Sequence, residues 1–168
     1  FNPGWSGGFF FGLDVTNPGA MEYLRKVIRT AAGEWGYDVL KLDFLYSGAL
    51  SGSCVNNSLT RAERMKMALG AIREEAGADT FILGCGIPIM QGIGIVDGNR
   101  IGEDVSPNWI EKDEKTWGGE SHVGTRNALR NTLNRAYMHR RLWLNDPDCL
   151  MIRDTDTNLS ESERKMLR

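Results

Sequence analysis

The sequence predicts an α/β fold built as part of a (β/α)8 barrel. Strand-like and helix-like segments alternate along the chain, the pattern of a parallel sheet with crossover helices. Five such steps occur in 168 residues without closing, whereas a whole barrel takes about 250. Asp14, Asp43, Asp104 and Asp146 all fall at or just past the C-terminal end of a predicted strand. That rim is where barrels carry their chemistry, and it favours the barrel over a five-stranded open sheet.

Phe9 to Asp14 reads as a buried strand. Asn17-Pro18 starts a helix, because Asn caps well and Pro suits a first turn that has no use for its N–H. Met21, Leu24 and Ile28 give that helix an apolar face, and Gly33 can end it. Tyr37 to Asp43 is the second strand, followed by a polar loop rich in Ser, Gly and Asn. Thr60-x-x-Glu63 forms a capping box for a helix with Met65, Leu69 and Ile72 on one face, closed by Gly77. Thr80 to Gly84 is the third strand, and Ile93 to Ile101 holds the fourth. Residues 102–120 form a long loop with Trp109 and Trp117. A helix near 123–137 points Leu129, Leu133 and Tyr137 inward, and Arg141 to Asn145 makes a fifth strand. Ser160-x-x-Glu163 caps a last helix.

Composition narrows the function. The chain is 41% hydrophobic and 25% charged, as globular domains are. A net charge of −2 offers no basic field for nucleic acid. No apolar run reaches the roughly 18 residues of a membrane helix. Cys54, Cys85 and Cys149 are an odd number without a CxxC pair, against a disulfide framework or a zinc ribbon and in favour of a reducing, cytoplasmic setting. His122 and His139 are too few and too far apart for a metal-dependent barrel hydrolase, so no metal or cofactor is expected. The chain opens at Phe1 without Met and stops inside a helical pattern, so residues 1–168 read as one incomplete (β/α)8 domain of a longer parent.

Three segments carry chemistry. In Lys41-Leu42-Asp43, alternation along a strand puts Lys41 and Asp43 on one face. Burying such a pair is costly unless the charges meet, so it is either a carboxylate held ionised for nucleophilic or basic work, or a structural ion pair. Between Val96 and Asp104, acidic residues could act as general acids, and Arg100 could clamp a substrate hydroxyl or orient Asp104; a solvated turn is the plainer account. In Trp143-Leu144-Asn145-Asp146-Pro147-Asp148-Cys149, Trp143 could cover a sugar face while Asn and Asp bind hydroxyls, or it could be a core Trp before an Asp-Pro turn.

Together, in this order, the segments resemble glycoside hydrolase families 36 and 27, the α-galactosidase families. Tyr37 to Asp43 and Gly84-Cys85-Gly86 are similar to family 36 sequence in particular. The resemblance implies that the chain covers roughly strands three to seven of the barrel. It implies a Lys-x-Asp nucleophile at Asp43 on strand four. It also implies an acid/base at Asp104, four residues after a substrate-binding Arg100 on strand six, with the Trp-x-Asn-Asp-Pro-Asp segment ending strand seven. Lys41, Cys85 and Asp148 would join Arg100 in lining the sugar pocket. The Cys85-Gly86-Ile87-Pro88 segment departs from the glycine-rich form common in the family.

The activity so implied is retaining hydrolysis of terminal α-galactosyl residues from oligosaccharides, with a homo-oligomeric parent possible and no nucleic-acid or membrane partner. In that mechanism Asp43 attacks the anomeric carbon, and Asp104 protonates the leaving oxygen and then deprotonates water. Transfer to another sugar, as in raffinose-type galactosyltransferases, and α-N-acetylgalactosaminidase activity share this machinery. A Schiff-base aldolase using Lys41 is disfavoured, since the neighbouring Asp43 opposes the neutral amine it needs. A sugar-binding module without turnover would not require a Lys-x-Asp pair. The piece alone is expected to be inactive, because the family's sugar ligands on the first two strands have no counterpart in it.

Overall fold

The computed structural model describes residues 8–111 and 123–168. The chain divides into two compact units, Phe1–Asn99 and Arg100–Arg168. Trp117 and His122 lie outside the described residues.

In the first unit, α1 (Pro18–Arg29) is capped as the sequence predicts, with the Asn17 side chain accepting from Gly19 N and Ala20 N. Gly33 does not end it. The chain continues through one π-turn, Thr30–Glu34, and leaves at Gly36, whose φ of 68° suits glycine. Strand β1 (Val39–Leu42) follows, then α2 (Arg61–Ala76) behind a complete Thr60/Glu63 capping box. Gly77 closes α2 at φ 75°. Next come β2 (Phe81–Gly84), the short turn α3 (Ile89–Gly92) and β3 (Gly98–Arg100), which straddles the division.

Strands β1 and β2 run parallel with Leu40 opposite Ile82 and Leu42 opposite Gly84, and β2 runs parallel to β3 with Gly84 opposite Asn99. One face therefore carries Leu40, Leu42, Ile82, Gly84 and Asn99, and the other Val39, Lys41, Phe81, Leu83 and Gly98. Leu40 and Ile82 are buried with Met65, Ala68, Leu69, Ala71 and Ile72 of α2, a core of the kind that covers a parallel sheet. Arg73 ties the end of α2 to the strand starts. It donates to the carbonyls of Ile95, Gly77 and Thr80 and pairs with Asp97. Glu75 joins the two helices by bonding Arg29 at 2.8 Å and Arg25 at 3.0 Å.

The second unit begins at Arg100. Its elements are α4 (Thr125–Arg135), a 3-10 turn Ala136–Met138, β4 (Leu144–Asp146) and α5 (Glu161–Leu167). The Ser160/Glu163 capping box of α5 is complete. Ile101, just past β3, donates to the carbonyl of Asp146 at the end of β4.

Several expectations are corrected. Phe9 to Asp14 is not a strand, and Phe9 and Phe11 are 76% and 92% exposed. The run ends in a polar turn, where the Asp14 carboxylate accepts from Thr16 N, Thr16 Oγ1 and Val55 N. The fourth strand shrinks to three residues because Ile95 and Val96 turn back to the Gly92 carbonyl. On α4, Leu133 is exposed, as is Tyr137 in the following turn; Thr125 and Met138 are buried instead. The strand placed at Arg141 to Asn145 starts at Leu144, since a turn with Arg140 at φ 61° occupies the preceding residues. The described residues thus hold four strands.

Candidate active site

The first unit brings Lys41, Asp43 and Cys85 together at the ends of neighbouring strands. Lys41 is opposite Leu83 in register, and Cys85 N donates to Leu42 O at 2.9 Å. Alternation puts Lys41 and Asp43 on one face of β1, with Leu83 and Cys85 following the same alternation in β2. Lys41 and Asp43 are both exposed, so the desolvation cost attached to a buried pair does not arise. Cys85 is buried.

The residue after Asp43 has no signal in the sequence. Phe44 adopts a left-handed conformation, φ 53° and ψ 28°, that is rare for a bulky side chain. In it, Phe44 N donates to Asp43 Oδ1 at 2.7 Å, which fixes one oxygen of the carboxylate. The chain then winds into a 3-10 turn, Leu45–Ala49, and the rings of Phe44 and Tyr46 meet edge to face at 6.1 Å. Gly86 makes room for this turn. At φ 69°, a Cβ there would lie 3.0 Å from Tyr46 Cδ1. The glycine of Gly84-Cys85-Gly86 is therefore explained by the loop that carries Asp43.

The second unit brings Arg100, Asp104 and Asp148 together and adds Asp146. The Arg100 side chain is 6% exposed and, among the described residues, meets three carboxylates, one at each nitrogen. Nη1 bonds Asp104 Oδ1 at 2.9 Å, Nη2 bonds Asp148 Oδ1 at 3.0 Å, and Nε bonds Asp146 Oδ2 at 3.2 Å. The planar fork of a guanidinium suits this, as an ammonium would not. Arg100 thus bonds Asp104 directly, and the Asp104 side chain is itself 76% exposed.

The loop carrying Asp104 is docked along α4. Asp104 O accepts from Gly124 N, Asn108 O from Thr125 N, and Ser106 O from the buried Thr125 hydroxyl. Arg135 donates to Ile101 O, and Gly102 lies against Asn131, whose Nδ2 a Cβ would approach to 2.9 Å. Asp97, an alternative acid in the sequence, is engaged by Arg73 and by Ile82 N.

Trp143 is a core residue, 4% exposed, and its Nε1 donates to Asn145 Oδ1 at 3.1 Å. Asn145 in turn donates to Arg135 O. Both are absorbed by packing, so of the two readings of Trp143 the structure has the core one. The Asp148 carboxylate pushes the neighbouring Cys149 thiol up, helped by burial, so this cysteine is a weak nucleophile. Among the described residues, no group of three or more His, Cys, Asp or Glu is arranged to hold a metal ion, and no helix is long and apolar enough to cross a membrane.

No family model matches the chain. Among solved structures, it is similar to the α-galactosidase TtGalA of Thermus thermophilus in complex with stachyose, at 34% identity and a TM-score of 0.73. That match covers 92% of this chain and 32% of that one. The same enzyme in complex with p-nitrophenyl α-D-galactopyranoside matches with the same identity and TM-score over 30% of its length. α-Galactosidase I of Mortierella vinacea shares the fold at 18% identity and a TM-score of 0.61, over 88% of this chain and 38% of that one. The chain thus spans about a third of the length of the enzymes it matches.

The fold class is α/β, and the chain matches part of a (β/α)8 barrel of the glycoside hydrolase kind. More narrowly, it is similar in sequence and fold to the catalytic barrel of α-galactosidases, the families that its Lys-x-Asp, Arg-x-x-x-Asp and Trp-x-Asn-Asp-Pro-Asp segments resemble.

Proposed function

We propose that the protein is a retaining α-galactosidase, with residues 1–168 forming part of its catalytic domain. The observation that carries this reading is the 34% identity to TtGalA over 92% of the chain. Asp43 is the nucleophile and Asp104 the acid/base. A retaining pair stands about 5–5.5 Å apart and passes through a covalent glycosyl-enzyme. Phe44 N holds one oxygen of the Asp43 carboxylate, the group that attacks the anomeric carbon. Asp104 is exposed where a leaving group could reach it, and Arg100 fixes its orientation. Lys41 and Cys85 share the face and strand ends next to Asp43, and Lys41 supplies a donor to a sugar hydroxyl. The substrate class is a terminal α-galactoside of the kind bound by TtGalA, in a raffinose-type oligosaccharide.

The test uses the intact protein. A mechanism-based α-galactosyl inhibitor should label Asp43, and Asp43→Ala should abolish turnover of aryl α-galactosides without unfolding the protein. Labelling of a different carboxylate, with Asp43 untouched, would refute the assignment. Product analysis with water and with added sugar acceptors separates hydrolysis from transfer.

A further inference from the structure

We infer that Asp146 and Asp148 are positioning residues for Asp104. They work by offsetting the charge of Arg100 and by pinning the backbone on both sides of the Arg100–Asp104 pair. This rests on the reading of Asp104 as the acid/base.

The geometry closes on itself. Asp148 uses one oxygen for Arg100 Nη2 and the other for the N–H of Val105, at 2.8 Å, the residue directly after Asp104. Asp146 uses one oxygen for Arg100 Nε and the other for the N–H of Asp148, also at 2.8 Å. Its carbonyl takes the N–H of Ile101, the residue directly after Arg100. The Asp146-Pro147-Asp148 turn therefore holds the neighbours of both members of the pair. Asp148 sits at φ 74°, a left-handed position that Asp tolerates better than most residues.

The electrostatics explain why two extra carboxylates are needed. An arginine beside a carboxylate favours its ionised form. An acid/base must gain and lose a proton within each turnover. Asp146 and Asp148 are 24% and 17% exposed, against 76% for Asp104, so the two better-shielded anions take up the positive charge. Arg100 orients Asp104 through one nitrogen while its other two are held by Asp146 and Asp148. Among the described residues, the Cys149 thiol lies 3.5 Å from Asp148 Oδ1, and Glu103 precedes Asp104 on the same loop. This also reassigns Asp148, read from the resemblance as a sugar ligand, to a role behind the reacting groups.

The experiment compares wild type, Asp148→Asn, Asp146→Asn and Asp148→Ala in the intact protein. With either Asn variant, kcat/KM for an α-galactoside with a poor leaving group should fall about tenfold or more, the scale of one charge-assisted hydrogen bond. A dinitrophenyl α-galactoside, which needs little acid help, should lose much less. Equal losses on both substrates would overturn the inference. Amide exchange of Val105 supplies a readout independent of turnover: it should be slow in wild type and fast in Asp148→Ala. A Val105 amide indifferent to Asp148→Ala would overturn the pinning role. Absence of glycosidase activity in wild type, with Val105 still responding to Asp148→Ala, would sink the proposed function and leave the pinning role supported.

Discussion

Replacing Arg100 by Met keeps an unbranched apolar stem and removes the charged guanidinium, so it tests what the guanidinium does. Two of its partners, Asp146 and Asp148, are mostly shielded, and the third, Asp104, is mostly exposed. Removing one member of a shielded ion pair typically costs about 3–5 kcal/mol, because the remaining charge is left uncompensated. The exposed arm adds at most about 1 kcal/mol, since water repays it. Arg100→Met should therefore destabilise the protein by about 3–5 kcal/mol, read from the urea midpoint at constant slope. Most of that cost belongs to the stranded carboxylates and not to the arginine. Introducing Asp146→Asn and Asp148→Asn into the Met variant should return a good part of the loss, a coupling of about 1–3 kcal/mol. Arg100→Met costing under about 1 kcal/mol, or strict additivity with the Asn changes, would refute this account of the cluster.

Two further perturbations test the scaffold of the site. Gly86→Ala forces an alanine into φ 69° and brings its Cβ to 3.0 Å from the Tyr46 ring, so it should cost about 1–2 kcal/mol and lower kcat through Asp43; an unchanged urea midpoint would contradict it. Glu75 is held below the usual carboxylate range first by the Arg29 hydrogen bond and then by that of Arg25. A depressed carboxylate stabilises the fold fully above its ordinary value of 4.5 and loses that contribution as pH falls through the lowered value. The difference in urea midpoint between wild type and Glu75→Gln should accordingly shrink on acidification below that window, and a pH-independent difference would count against the pairing.

What the sequence disclosed were features settled within a few residues. The Asn17-Pro18 start of α1 and the capping boxes at Thr60 and Ser160 depend on side chains reaching two or three residues along the chain, and all three form. Features that need a distant partner went astray. An aromatic run such as Phe9 to Phe11 has strand propensity, yet a strand exists only beside another strand. Helical spacing groups Leu129 and Leu133 on α4, but it cannot say which face the fold covers. The site shows the same division. Lys41, Asp43, Arg100 and Asp104 stood out as candidates through the order of motifs that resembles a known family, whereas Asp146 bonds an arginine 46 residues away and meets it only because β4 ends beside the end of β3. The left-handed Phe44 had no cue at all, since nothing about phenylalanine favours that conformation.

The left-handed residues indicate how the proposed site is held. Phe44 directly follows Asp43, and Asp148 belongs to the Arg100 cluster. A left-handed conformation costs a non-glycine residue roughly 1–2 kcal/mol, so each persists only because its surroundings over-determine it. For Phe44 those surroundings are its bond to the Asp43 carboxylate and the ring contact with Tyr46, which packs against Gly86. For Asp148 they are the hydrogen bonds to Arg100, Val105 and Asp146. In both places the chain leaves a strand, turns sharply, and uses the turn's own N–H groups to fix a carboxylate. A carboxylate fixed by backbone N–H groups is held by atoms that cannot rotate away, the preorganisation an attacking or proton-transferring group requires. Arg140 and Asp156 are left-handed outside these two places, so it is the position after a strand that matters at Phe44 and Asp148: a turn there can place its N–H groups on the last side chains of that strand and of its neighbour.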